Sequence, residues 1–249
     1  MIEFANVKKV LGHKTVLNGI NFQIAKGETF AIIGRSGAGK SVTLKLMVGL
    51  MQPDSGTVTV DGTDITNPDE SLLSNIRKKF GFLFQGSALL NSLTVGENVG
   101  LPLKEHQEMP DAGIRKRVTE VLEIVGLHSA ENLMPSELSG GMRKRVSLAR
   151  SIVRYPEIIL YDEPTTGLDP IMSNVINNLI IRLREKLNIT SVVVTHDMKS
   201  TFMVANRIAL LYHGKLIQTG DVEYFQKSKD PFIRQFVEGD SEGPFEEET

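Results

Sequence analysis

Residues 29–41 read TFAIIGRSGAGKS, and the rest of the chain can be read outward from them. Phe30 to Ile33 is a short apolar run, expected as a strand, that enters a glycine-rich turn and passes at once into helix-forming sequence. Gly34, Gly39, Lys40 and Ser41 fit the P-loop pattern, with Gly37 as a further glycine inside it. Glycines let successive backbone N–H groups curl around phosphate oxygens, and a helix starting near Gly39 points its positive end at them. Lys40 can reach the β- and γ-phosphates, and the Ser41 hydroxyl can ligate Mg²⁺. Arg35, Ser36, Ala38 and Val42 are the neighbouring positions of the same cradle. A Gly/Ser turn that merely holds a lysine would lack the apolar run before it and the helical pattern Leu44, Leu46, Met47, Leu50 after it. The stretch therefore implies binding of a nucleoside triphosphate.

A chain of 249 residues is long enough to bury a proper core as one large domain or two small ones. No run approaches the roughly 18 apolar residues of a membrane span, and MIEFANVKKV lacks the apolar centre of a signal peptide. There is no cysteine, which removes disulfides and thiolate metal sites and fits a cytoplasmic protein. A net charge of −2 gives no overall pull towards nucleic acid.

Before the P-loop, Ile2, Phe4 and Val7, then Thr15 to Ile24, predict two or three short strands. Thr57 to Val60 is a strand ending at Asp61-Gly62, and residues 70–79 are expected to be helical. Phe80 to Phe84 forms a strand ending at Gln85. From Gly86 to Pro156 the periodicity is helical, with Val118, Leu122 and Val125 on one face and Gly126 as a cap. The α/β pattern returns with Ile158 to Asp162, a helix over about 171–187, and the β-branched run Ser191 to Thr195. Ile208 to Tyr212 and Lys215 to Gln218 flank His213-Gly214 as a hairpin, and Pro231 to Val237 suits a last short helix. Residues 238–249 carry six acidic side chains, two glycines and one proline, a composition with little means of packing on its own.

A second constellation is IILYDEPTTGLDP, residues 158–170. The apolar strand delivers Asp162 to its C-terminal end, where a Walker-B carboxylate can hold Mg²⁺ opposite Ser41. Glu163, one residue on, can orient or deprotonate an attacking water. An isolated Asp-Glu pair would read as a solvated strand end; here it follows a P-loop. In SELSGGM, residues 136–142, Ser139 is placed to cap a helix whose first N–H groups Gly140 and Gly141 leave open to an anion. A chain with a complete P-loop has little need of a second such end unless it serves another molecule's nucleotide. His196 closes SVVVTHD at the rim of an expected parallel sheet, where it can contact a γ-phosphate. Gln85 ends another strand and can reach the metal or the water. The run Arg143-Lys144-Arg145 reads as a solvated or subunit-facing surface.

Taken together these motifs closely resemble the nucleotide-binding domains of ABC transporters: Walker A GRSGAGKS, Q-loop Gln85, signature LSGGM, Walker B IILYDE, D-loop GLDP with Asp169, and switch His196. The resemblance covers residues 1–225. It implies an α/β fold, a P-loop NTPase (RecA-like) core at 1–85 and 157–228 with antiparallel β elements, and an inserted helical subdomain at 86–156. These make a single ABC domain over 1–238, followed by an acidic tail at 239–249. It further implies ATP and Mg²⁺, the latter held by Ser41, Gln85 and Asp162. The active form would be a head-to-tail dimer in which Ser139, Gly140 and Gly141 contact the second copy's γ-phosphate and Asp169 lies at the seam. The helical subdomain would grip a membrane permease, holding the chain at the cytoplasmic face of the inner membrane. Two positions depart from the family pattern. Met142 replaces the usual glutamine, and no aromatic stands where a ring commonly stacks on adenine, so the base would rest on Leu11 or a neighbour and on Val16.

FQGSALLNSLTVGENVGLPL after the Q-loop, LMPSELSGGM and a tail ending FVEGDSEGPF are similar to the ATPase subunit of Mla/Mce-type phospholipid transporters. That likeness implies Mce-domain lipid-binding partners and, in some systems, a STAS-domain protein. It also implies a C-terminal extension reaching across to the second copy, with Phe245 as its anchor, where composition alone gives a disordered end. Two alternatives share the catalytic core: an ABC ATPase for another solute, and a soluble ABC ATPase such as an iron–sulfur assembly factor. A nucleic-acid role is not expected, because the chain has length for one ATPase domain and no long coiled-coil insertion.

Overall fold

A computed structural model describes residues 1–106 and 109–245. In chain order the elements are β1 (Ile2–Leu11), β2 (Lys14–Ile24), β3 (Thr29–Ile33), α1 (Lys40–Met47), β4 (Ser55–Val60) and β5 (Thr63–Asp64). Then come α2 (Glu70–Arg77), β6 (Phe80–Leu83), α3 (Val95–Glu105), α4 (Asp111–Ile124), α5 (Gly140–Ile152), β7 (Ile158–Asp162) and α6 (Pro170–Leu187). The chain closes with β8 (Thr190–Thr195), α7 (Met198–Val204), β9 (Arg207–Tyr212), β10 (Lys215–Asp221), α8 (Val222–Lys227) and α9 (Pro231–Glu238). The chain divides into two compact units: residues 1–73 with residues from 192 onward, and residues 74–191.

In the first unit, β1 pairs antiparallel with both β2 and β4, giving the order β2-β1-β4-β5. Where the sequence suggests two or three short strands, two long ones form, of 10 and 11 residues. Phe4 and Val7 are both buried although a regular strand buries residues at even spacing. A register shift between them, with Asn6 at φ 51°, resolves the conflict. The extra residue of a bulge returns Val7 to the inner face. Phe4, Phe22 and Phe30 then stack, with centroids 4.5 and 5.4 Å apart.

All five residues of β3 are buried. It runs parallel to β9, with Phe30 opposite Arg207 and Ile33 opposite Leu210, and β9 pairs antiparallel with β10 as the expected hairpin. The strand order here is β10-β9-β3-β8. Strands apolar on both faces suit such a parallel arrangement, and β3 and β8 place the P-loop and His196 at their C-terminal ends.

The C-terminal segment departs from expectation. Phe245 is only 6% exposed and joins Ala31, Ile33, Ile208, Leu210, Phe225 and Ile233 in a cluster of its own unit. Its ring meets Tyr212 edge-on at 4.6 Å and Phe232 at 5.5 Å, and its N–H donates to Gln235 Oε1 at 2.7 Å. The tail up to Phe245 thus folds back on its own chain rather than awaiting a second copy; the aromatic wall of β9 and α9 supplies the apolar area that the acidic segment lacks. The rest of the tail reading, residues 246–249, lies outside the described residues.

In the second unit, β6 and β7 pair in parallel, and between residues 84 and 157 the described residues form helices and one short 3₁₀ turn, with no strand. A Cβ on Gly81 of β6 would stand 2.3 Å from the Ser151 carbonyl oxygen, so glycine allows α5 to lie hard against the strand. Arg117 of α4 donates to the carbonyls of Ile152 and Val153 at 2.8 and 3.0 Å. It thereby satisfies acceptors left over at the end of α5, and its guanidinium lies over the Tyr155 ring. Thr94 and Glu97 form a capping box on α3. Buried Asn98 ties Leu90, Leu93 and Thr94 to the same helix.

Candidate functional site

The residues singled out by sequence fall into two sets, one in each unit. In the first unit, β3 ends in the P-loop. Gly34 and Gly39 have φ of 156° and 107°. A Cβ on Gly34 would lie 2.3 Å from the Leu211 carbonyl oxygen, and one on Gly39 2.9 Å from that of Val16, so both positions require glycine. Gly39 caps α1 without any side-chain hydrogen bond, and a helix N-terminus without a side-chain cap suits an anion. Lys40 is buried, its ammonium donating to the carbonyls of Gly34 at 2.7 Å and Arg35 at 3.1 Å. It is held across the loop, while Arg35, Ser36, Gly37 and Ser41 are exposed.

Val16 lines a small hollow beside the P-loop with Arg35, Gly37, Ala38, Tyr212 and His213. Leu11 does not line that hollow: it stands 40% exposed at the β1–β2 turn. Tyr212 and His213 are the aromatic residues near the loop that sequence reading missed. They come from the far end of the chain, brought in because β9 pairs with β3. His196 is exposed at the end of β8, and Asp197 behind it caps α7.

In the second unit, β7 ends at Asp162, followed by Glu163. Glu163 is 8% exposed and has a left-handed backbone, φ 49°, a conformation costing a non-glycine residue about 1–3 kcal/mol. Its carboxylate accepts from the Thr166 hydroxyl at 3.1 Å, and its carbonyl accepts from the Thr166 N–H. Asp169 caps α6 by accepting from the N–H groups of Ile171 and Met172. Ser139 caps α5, accepting from Met142 N–H at 3.2 Å, with Ser139 and Gly140 exposed and Gly141 buried under Met172. Gln85, just past β6, exposes its side chain.

The basic run on α5 is not one surface. Arg143 is exposed, but Lys144 is 4% exposed, its ammonium donating to the carbonyls of Gln85 and Glu163. Burial lowers the Lys144 pKa, opposed by the nearby carboxylates of Asp162 and Glu163. The helical period is the signal for this: Gly141, Lys144, Leu148 and Ser151 recur every three or four residues on the buried face.

Ser41, Gln85 and Asp162 offer a hydroxyl, an amide oxygen and a carboxylate, hard donors of the kind Mg²⁺ takes. Among the described residues there is no cluster of His, Cys, Asp and Glu that would hold a metal alone. Mg²⁺ needs none where phosphates and water complete its shell.

The family model for ABC transporters matches residues 17–166, which takes in the P-loop, Gln85, the α5 N-terminus, Asp162 and Glu163. The chain belongs to the ABC transporter family. It is 42% identical over 244 residues to the intermembrane phospholipid transport system ATP-binding protein MlaF of Haemophilus influenzae, spanning 98% of this chain and 92% of that protein. It is 38% identical to a probable ribonucleotide transport ATP-binding protein of Mycobacterium leprae, over 98% of this chain and 70% of that one. Among solved structures, it superposes with a TM-score of 0.82 and 35% identity on an ATP-binding cassette in a dimeric, post-hydrolysis state bound to ADP and Pi, covering 89% of this chain and 99% of that one. The fold is therefore that of a P-loop, RecA-like nucleotide-binding domain, and the chain is an ATP-hydrolysing subunit of this family.

Proposed function

We propose that ATP hydrolysis by this chain drives phospholipid transport between membranes through separate permease subunits. The observation that carries the reading is the likeness to the H. influenzae phospholipid transport ATPase along nearly the full length of both chains. No helix among the described residues is long and apolar enough to cross a membrane, which accords with a peripheral subunit held by its permease at the cytoplasmic face of the inner membrane. The helical segment 86–156 would make that contact. Mce-domain lipid-binding proteins and a STAS-domain protein are the further partners we infer.

In this reading two copies pair head to tail. The P-loop residues Gly34 to Val42 cradle the phosphates, and Val16, with Tyr212 and His213 in place of Leu11, flanks the base. Ser41, Gln85 and Asp162 would hold Mg²⁺, which when bound neutralises phosphate charge. Glu163, steadied by Thr166, orients or deprotonates the attacking water. His196 contacts the γ-phosphate. Ser139, Gly140 and Gly141 present the open end of α5 to the second copy's nucleotide, and Asp169 lies at the seam.

Purifying the chain with its membrane subunits and identifying bound molecules by mass spectrometry tests the substrate. Phospholipid enriched over the surrounding membrane supports the reading. A bound ribonucleotide or other solute with no lipid enrichment overturns it and leaves the ATPase assignment standing.

A further inference from the structure

Nine non-glycine residues among those described have a positive φ, and three of them, Ser87, Ala88 and Glu163, stand within three residues after Gln85 or Asp162. Each of these three offers its carbonyl to a cation on one helix, α5. Arg150 donates to Ser87 at 2.8 Å and to Ala88 at 2.7 Å. Lys144 donates to Glu163 at 3.3 Å and also to the carbonyl of Gln85. Backbone in this region persists only where its surroundings over-determine it. Here the over-determining groups sit six residues apart on one helix, and Lys144 is buried in spite of its charge. A neutral donor would satisfy these carbonyls with less desolvation; the ammonium adds attraction to the carboxylates of Asp162 and Glu163.

We propose that Lys144 and Arg150 are positioning residues that hold the Gln85 loop and Glu163 in the shape hydrolysis requires. The helix whose N-terminus carries Ser139, Gly140 and Gly141 thereby also sets the catalytic groups of its own chain. Lys144 lies five residues beyond Ser139, about 7.5 Å along the axis at 1.5 Å per residue, within one rigid segment. In the head-to-tail dimer, a shift of α5 on meeting the second copy's nucleotide moves Lys144 with it, which ties the two ATP sites together. The inference rests on the roles given above to Gln85 and Glu163.

Steady-state ATP hydrolysis by a four-member cycle tests it: wild type, Lys144→Met, Glu163→Gln and the double variant, with Lys144→Arg as the conservative control. Lys144→Met should lower kcat about 10- to 100-fold, the usual effect of removing a group that orients a catalytic one, with KM unchanged, and Lys144→Arg should restore part of the loss. In the Glu163→Gln background the same substitution should cost less than about threefold, because residues acting as a unit are not additive. Full kcat in Lys144→Met, a loss confined to KM, or an equal loss in both backgrounds overturns the proposal. A Glu163→Gln variant that keeps wild-type turnover sinks instead the catalytic reading on which it rests. Should Lys144→Met not fold, Arg150→Gln carries the test: amide exchange at residues 85–88 should quicken and kcat fall. Faster exchange with unchanged kcat overturns the proposal.

Discussion

Phe245→Ala removes the ring that pins the end of the chain against β9 and α9. The side chain is 6% exposed, so its truncation gives up about 1.5–3 kcal/mol of transfer free energy. The edge contact with Tyr212 at 4.6 Å and the neighbouring Phe232 add about 0.5–1.5 kcal/mol. The full loss is not felt. Once the anchor is gone, the end of the tail releases and recovers part of that loss in backbone entropy, rather than staying docked over a cavity. The expected net cost is about 1–2 kcal/mol, or a fall in Tm of about 2–8 °C for a chain of this size. Thermal unfolding of the nucleotide-free chain, wild type against Phe245→Ala, should show that fall equally at dilute and at high protein concentration. The contact is internal, so mass action does not enter. No fall in Tm, or one present only where two copies associate, would refute the reasoning and return Phe245 to the surface of a partner.

Glu163→Gln should keep nucleotide binding and lower turnover about 10²- to 10⁴-fold, the value of a positioned base; phosphate release measured beside ATP affinity checks both halves. Ser139→Arg should abolish hydrolysis yet leave nucleotide binding to the isolated subunit intact, because Lys40 and Ser41 belong to another segment. Mixing Lys40→Ala and Ser139→Arg subunits should return partial activity through the one intact site, whereas full activity in the Ser139→Arg protein would remove the composite site. Gly81→Ala should destabilise the chain by about 1–3 kcal/mol, the usual cost of overpacking. Its Cβ would stand 2.3 Å from the backbone oxygen of Ser151, which has no side-chain freedom to step aside; urea denaturation reads the change.

Local chemistry was legible in the sequence where one segment carries it. Gly34, Gly39 and Lys40 could be read because a phosphate cradle is made from consecutive residues, and Ser139 because a cap acts within one turn. Features set by pairing across the sheet or by helix packing were not. Phe4 and Val7 imply an irregular strand by their spacing, but only the pairing with β2 and β4 shows the bulge at Asn6. Tyr212 lies far from the P-loop in sequence and reaches it through the register of β3 and β9. Lys144 sits in a run of three cations that looks like a solvated face; the helical phase buries the middle one most deeply. The acidic residues around Phe245 argued for a loose end, and they were outweighed by a hydrophobic wall built from Tyr212, Phe232 and Phe236.

The central claim is that this ATPase moves phospholipid. The most direct measurement follows labelled phospholipid in proteoliposomes carrying the chain assembled with its membrane subunits, with Mg²⁺ and ATP, for wild type and for Glu163→Gln. The expected result is lipid movement that requires ATP and is lost in Glu163→Gln. ATP hydrolysed at the full rate while labelled lipid stays in place, and a ribonucleotide or other solute crosses instead, would contradict it.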